Sequence, residues 1–323
     1  MRRREFVMLI GAAVGFPFAA RAQEKGRLYR LGSLHHSQRS APNHVAFYEE
    51  LKRQGFVEGQ NLLVDERGYG LRVEQLAEHA AELVKAPVDV IICTGDEAVR
   101  AAQQATKTIP ILANATDMVG RGFVRSLANP DGNTTGFSIL ASELDGKRQE
   151  ILLEAVPRLN RMAILADDRV TSQQQLQLLQ QAARAHQVEL LIFRVSAPEQ
   201  IGVAIEQAKN SGAEALNVLS SAFLYANRRV IIERTAALRI PAIYEWPSES
   251  EEGGLIGYGP NLVQLYRDVW ARQLVRLFRG AKPTDLPIEQ PTNFYLVVNF
   301  KTAKALGLTI HESFLARADK VIE

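Results

Sequence analysis

Two short stretches carry side chains suited to holding a small charged molecule. Thr94-Gly95-Asp96-Glu97 and Asn114-Ala115-Thr116-Asp117 each follow an apolar run and mix hydroxyl, amide and carboxylate groups. Hydroxyls together with free N–H groups at a helix start can hold an anion such as a carboxylate. Thr94, Gly95, Asn114 and Thr116 are therefore the candidates for an anion-binding end. Asp96 and Glu97 complicate this: as first-turn carboxylates they complement the helix dipole. Turned toward a ligand, either would instead repel a carboxylate and favour a cationic or hydroxyl-rich molecule; Asp96 and Asp117 stay on the candidate list.

The loop "LGSLHHSQRS" adds Ser33, His35 and His36. Adjacent histidines seldom share one ion, so these are read as capping, hydrogen-bonding or stacking groups, and no metal or cofactor is expected. The second half of the chain supplies Asp167, Ser220, Ser221, Phe223, Tyr244, Glu245 and Trp246. Glu245, at the end of "PAIYE", is placed either to hold an amine or to stand as a solvated loop carboxylate. Tyr244 and Trp246 alternate on a strand and so face opposite sides. The expectation is that Phe223 and Tyr244 form the apolar wall, with Tyr258 reaching the site or packing at a hinge. Aromatic walls around a few fixed polar groups are the usual make-up of a small-molecule pocket.

Nothing in the sequence selects a catalytic set, and an enzyme is not expected. There is no G-x-S-x-G elbow, and no histidine pair at metal-ligand spacing lies on a predicted helix. The single cysteine, Cys93, sits in "VDVIICTG" and reads as a buried thiol packed as a small hydrophobe.

The elements that must position these groups follow one pattern. "LYRLGSL", "LLVDERGYG", "VDVIICTG", "IPILANAT" and "NTTGFSI" read as strands, alternating with helices over 44–55, 72–86, 96–106 and 119–128. A helix over 143–156 restarts the alternation. It continues through "RMAILADD", a Gln-rich helix over 171–187, "VELLIFRVS", a helix over 198–211, "EALNVLSS", a helix over 223–239 and "PAIYEWP". Near-continuous apolar strands between helices are what a parallel sheet covered on both faces requires.

The fold class is thus α/β: two doubly wound parallel-sheet lobes with a ligand cleft between the carboxyl ends of their strands. Past "GGLIGYGP" come a helix over 261–279, a linker punctuated by Pro283, Pro287 and Pro291, a strand at "NFYLVVN" and a short helix over 300–306. The chain therefore crosses between lobes more than once. One lobe is expected from 27–137 plus roughly 258–282, the other from 138–257 plus roughly 290–323. Phe137-Ser138 and Gly257-Tyr258 mark the expected hinge strands.

The first residues, "MRRREFVMLIGAAVGFPFAARAQ", read as an export signal over 1–22. Three arginines precede an apolar run too short for a comfortable span, and Ala20-Arg21-Ala22 offers a small-x-small cleavage site. Arg3-Arg4-Glu5-Phe6-Val7 also looks like a twin-arginine signal. Removing four arginines and one glutamate takes the +2 of the whole chain to near neutrality. A near-neutral domain without a basic stripe or helix-turn-helix is no reader of nucleic acid.

Several blocks are similar to one known family. "AFYEELKRQGFVEGQNLLVDERGYG", "VRSLANPDGNTTGFSIL", "ELDGKRQEILLEAVPRL", "YGPNLVQLYR" and above all "GAKPTDLPIEQPTNFYLVVNFKTAKALGLTI" resemble TrpX-type substrate-binding proteins of ABC transporters, in order along nearly the whole mature chain. The resemblance implies a type I periplasmic binding protein with two lobes joined by three crossovers. It implies a monomeric receptor that takes a small polar ligand, an amino acid or aromatic carboxylate, and delivers it to an ABC permease in the inner membrane. A sensory receptor that signals to a membrane kinase would share every one of these features. The chain departs from the family at two loops: Thr94-Gly95-Asp96-Glu97 stands where Gly-Thr-Pro is usual, and Ala115-Thr116-Asp117-Met118 where Gly-Asp-Pro is common. Both departures fall where ligand contacts are expected.

Overall fold

The computed structural model describes residues 26–323; the segment read as an export signal lies outside them. The first sheet contains β1 (Tyr29–Leu34), β2 (Leu62–Val64), β3 (Val90–Thr94), β4 (Ile111–Ala115) and β5 (Thr134–Ser138). They run in the order β2-β1-β3-β4-β5, every neighbour parallel. The unbroken apolar run of β3 follows from burial on both faces. Ile92 packs with Phe47, Leu51 and Trp270 on one side, while Ile91 and Cys93 pack with Leu83, Val99 and Ala102 on the other. Successive side chains point oppositely along a strand, so one run serves two cores. Cys93 is a fully buried free thiol.

The second sheet comprises β6 (Arg161–Asp167), β7 (Glu189–Val195), β8 (Ala215–Val218), β9 (Ala242–Tyr244), β10 (Ile256–Gly259), β11 (Tyr295–Asn299) and β12 (Lys320–Ile322). Its order is β12-β11-β10-β9-β8-β6-β7, and only β10 with β11 is antiparallel. That one reversal marks where the chain leaves and returns. After β10 it runs into a helix over 262–278 that packs on the first sheet through Tyr266, Trp270, Leu274 and Phe278. It then lies alongside β5: Thr135 donates to the Leu286 carbonyl at 2.7 Å and the Ser138 N–H to that of Glu289 at 2.9 Å. The chain thus passes between sheets at 138–141, 259–262 and 289–295. Tyr258 belongs to the second sheet, and residues 283–289 run beside the first.

The helix expected over 119–128 does not form; the stretch is a succession of turns. Gly120 and Gly122 weaken a helix, and Asp117 offers an alternative by accepting the N–H groups of Val119 at 3.2 Å and Gly120 at 2.8 Å. The helix expected over 223–239 is two shorter ones, Ala222–Ala226 and Arg228–Ala237. Among the described residues no helix is long and apolar enough to cross a membrane, and no cluster of metal-ligating side chains occurs.

Candidate functional site

The carboxyl ends of the two sheets face each other across a narrow cavity. Thr94 and Gly95 reach it from the end of β3, Asn114, Ala115 and Thr116 from the end of β4, and His36 and Ser37 from the loop after β1. The helix that crosses back to the first sheet contributes Leu262 and Tyr266. Tyr266 sits in a π-helical turn, Leu265–Trp270, the kind of local over-winding that recurs at functional sites. Opposite them stand Ala222, Tyr225, Glu245 and Trp246.

On the first-sheet side the polar groups form a chain. Thr94 Oγ1 lies 2.9 Å from His35 Nδ1 and 2.9 Å from the Tyr266 hydroxyl. Burial, with His44 and His36 adding to it, holds the His35 pKa well below its ordinary value, so that ring is neutral. Asp96 begins the helix Asp96–Ala105 but turns away from the cavity. Its carboxylate accepts the Thr116 N–H at 3.0 Å and hydroxyl at 2.7 Å, and pairs with Arg121 at 2.9 Å. Asp96 therefore sets the shape of the loop that carries Thr116, and leaves the cavity's first-sheet wall free of anionic charge.

On the second-sheet side, Glu245 is 6 % exposed and accepts the Ser221 N–H at 3.3 Å. Desolvation pushes its pKa up to about 7, against the opposing pull of Arg148. Beneath it lies a buried polar network. The Arg148 guanidinium donates to the carbonyl oxygens of Tyr258 at 3.0 Å and Glu245 at 3.4 Å, and also to Asp145 and Ser220. Asp145 in turn accepts the Ser220 N–H at 3.0 Å and the Gln175 amide.

Of the candidates named from the sequence, the structure gathers His36, Thr94, Gly95, Asn114, Thr116, Glu245 and Trp246 around one cavity. The others lie elsewhere. Ser33 and His35 are buried behind Thr94, with His35 stacked on Tyr69. Asp117 is exposed and caps its own turn. Asp167 accepts the Ser221 hydroxyl at 2.7 Å and pairs with Arg169 at 3.1 Å, and Ser220 belongs to the Arg148 network. Phe223 lies under the Arg169 guanidinium, 4.5 Å from its ring centre, outside the cavity.

The choice of Tyr244 over Trp246 is corrected. Tyr244 is in the core of the second lobe, its hydroxyl 2.8 Å from Thr235 Oγ1, and Trp246 takes the cavity wall. Tyr258 packs against Phe294 and also stays out of the cavity. Phe137 and Ser138 are buried at the end of β5, next to the first crossover. Gly257 has a packing reason: a Cβ there would come within 2.4 Å of the Trp246 carbonyl oxygen. Tyr225, Tyr266 and Asn43 were missed as wall residues. "YGPNLVQLYR", already singled out for its resemblance, held the signal for Tyr266.

The two lobes touch around the cavity. Arg121 donates to the Val170 carbonyl, and Arg169 lies 3.6 Å from Glu97. At Gly95 the fit leaves no spare room: its φ is +94°, and a Cβ would come within 2.8 Å of the Ala222 Cβ. Gly95→Ala is expected to weaken ligand binding about tenfold or more, by straining the backbone and blocking this contact. Ala222→Leu imposes the clash without backbone strain, and should do the same. Calorimetric titration reads the affinity and small-angle scattering the compaction; tight binding with full compaction in both variants would contradict the contact's role.

Three buried carboxyls give the ligand-free protein an unusual pH dependence. Desolvation raises Glu97 and Glu245 to about 7 and Glu249 to about 8, from an ordinary 4.5. The folded state then binds more protons than the unfolded one across that window, so stability falls as pH rises. The buried histidines 35, 36 and 44, with lowered values, act oppositely but only below about pH 6.5. Between pH 6.5 and 8.5 the acids act alone, and the melting temperature is expected to drop by roughly 5 °C. Thermal melts across that range check it, and Glu249→Gln should flatten the slope.

A closed pair of α/β lobes with polar groups and aromatic rings converging on the cavity between them defines a small-molecule binding protein of the two-lobed, type I periplasmic kind. Residues 36–322 match the family described as ABC transporter substrate binding protein. The chain belongs to that family. It is 24 % identical over 266 residues to a tyrosine-binding protein of Clostridioides difficile (strain R20291), covering 81 % of this chain and 75 % of that one. Among solved structures it is similar to a conserved domain protein of Vibrio cholerae, at 22 % identity and a TM-score of 0.80, covering 92 % of this chain and all of that one. An ABC domain from Streptococcus pneumonia in complex with L-Trp is similar at 22 % identity and a TM-score of 0.79, covering 91 % of this chain and all of the other. These two likenesses bear on the fold. Substrate-binding proteins of ABC transporters work outside the cell membrane, where they collect a small-molecule ligand.

Proposed function

We propose that the chain is the exported, periplasmic receptor of an ABC uptake system and that its ligand is an aromatic amino acid. One observation carries the reading: among the described residues Glu245 is the single carboxylate in the cavity wall, set among Tyr225, Trp246 and Tyr266 and facing the neutral groups Thr94 and Asn114. Glu245 holds the ligand's ammonium group, the hydroxyl and amide groups hold its carboxylate, and the three rings enclose its side chain. Among the described residues no lysine or arginine lines the cavity, so an acid without an amine would leave Glu245 buried and without a counter-ion, at a cost of several kcal/mol. The Clostridioides difficile relative and the Streptococcus pneumonia complex, named for tyrosine and L-Trp, point the same way. The protein returns its ligand unchanged and hands it to a permease in the inner membrane. The signal over 1–22 supplies the export.

A thermal-shift screen of the mature chain, Gln23 to Glu323, tests this against amino acids, aromatic acids without an amine, polyamines and sugars. A ligand at about 100 times its dissociation constant adds about 2.7 kcal/mol of stability. Stabilisation by tryptophan, tyrosine or phenylalanine is expected. Stabilisation by aromatic acids, polyamines or sugars in place of amino acids would refute the assignment.

A further inference from the structure

We propose that His36 selects among aromatic amino acids by accepting a hydrogen bond from a donor on the ligand's ring, a phenolic O–H or an indole N–H. This rests on the function proposed above and narrows it. His36 Nδ1 lies 2.9 Å from the Leu71 carbonyl oxygen. A carbonyl oxygen only accepts, so Nδ1 carries the hydrogen, and in a neutral ring Nε2 is then a bare acceptor. Desolvation keeps the ring neutral: it lowers the pKa, with Arg169 adding to the effect and the Leu71 bond and Asp167 opposing it.

Among the described residues Nε2 has no partner, although His36 is only 9 % exposed and lines the cavity. A buried acceptor left unpaired costs its full desolvation penalty, and a donor arriving with the ligand removes that penalty. Glu245 and the neutral groups Thr94 and Asn114 are assigned to the ligand's two charged groups. His36 Nε2 then remains for its side chain, together with Asn43 Oδ1, the other buried acceptor of the wall without a partner among the described residues. A site built to pair with a ligand donor discriminates strongly against the analogue lacking it. Tyrosine and tryptophan should therefore bind about 30-fold more tightly than phenylalanine.

Calorimetric titration of the mature protein with tyrosine, tryptophan and phenylalanine measures the ratio directly. In His36→Leu the preference is expected to collapse to within about threefold, while His36→Gln, whose amide oxygen can accept, keeps part of it. Far-UV circular dichroism establishes that both variants are folded. Independently of any variant, 15N spectra of the imidazoles should show the His36 Nε2 resonance shift on adding tyrosine or tryptophan and stay in place with phenylalanine. Equal binding of phenylalanine and tyrosine by the unaltered protein, with no Nε2 shift, would overturn the role of His36 and leave the functional reading standing. Failure of all three amino acids to bind would overturn both.

Discussion

Glu245→Gln is expected to weaken binding of an amine-bearing ligand about 100- to 1,000-fold, equivalent to about 2.7–4.1 kcal/mol. The carboxylate is almost wholly buried, so its pairing with an ammonium group is little screened by water, and removing the charge leaves the ammonium desolvated without a partner. The same residue sets the pH dependence of capture. Its pKa of about 7 in the ligand-free protein means that protonation competes with the ammonium group. Apparent affinity should be nearly flat above pH 8 and fall about tenfold per unit below pH 6. The neighbours that could distort this profile are Arg148, which favours the charged form, and Asp145, which opposes it. Titration calorimetry from pH 5.5 to 8.5 on both proteins checks the expectation. The slope should vanish in Glu245→Gln, and a persistent slope would assign the titration to another group.

The second large effect is on stability. Arg148→Ala should destabilise the second lobe by about 3–5 kcal/mol. The guanidinium and the Asp145 carboxylate are both completely buried, and four acceptors from separate segments converge on the one side chain. Truncation leaves Asp145 charged, buried and short of its counter-ion, and leaves the carbonyl oxygens of Tyr258 and Glu245 without this donor. Arg148→Lys should recover only part of the loss, because an ammonium group cannot reproduce the planar fork. Urea denaturation followed by circular dichroism measures the change. A loss under about 1 kcal/mol would mean that water replaces the guanidinium, and that the network tolerates the exchange. The network also explains why Glu245 keeps its place: its backbone carbonyl is tied to the helix Ala141–Ala155 through Arg148, and its carboxylate to Ser221.

The fold was largely legible in one dimension. The run "VDVIICTG" is apolar from Val90 to Cys93, every position of β3 before Thr94 at its end, as a strand buried on both faces demands, and most of the predicted strands and helices in both lobes are present. The stretch 119–128 was not legible, because its apolar residues pack beneath turns and its ending is governed by Asp117 and two glycines.

At the candidate site, local chemistry pointed to the loops after β3 and β4 and the acid after β9 that line the cavity, since a doubly wound sheet presents those ends to its cleft by topology alone. The direction of individual side chains was another matter. Alternation established that Tyr244 and Trp246 face opposite ways. Which of them lines the cavity depends on the register of β9 against β8 and β10, where pairing of Asn217 with Ile243 and of Gly257 with Tyr244 turns Tyr244 into the core. Asp96 likewise reads as a cavity acid until the β4 loop folds over it and supplies two donors from Thr116. The sequence by itself determined two parallel sheets and the strand ends that meet. The tertiary structure decided which groups point into the space between them, because that orientation is set by strand register and by partners brought from distant segments.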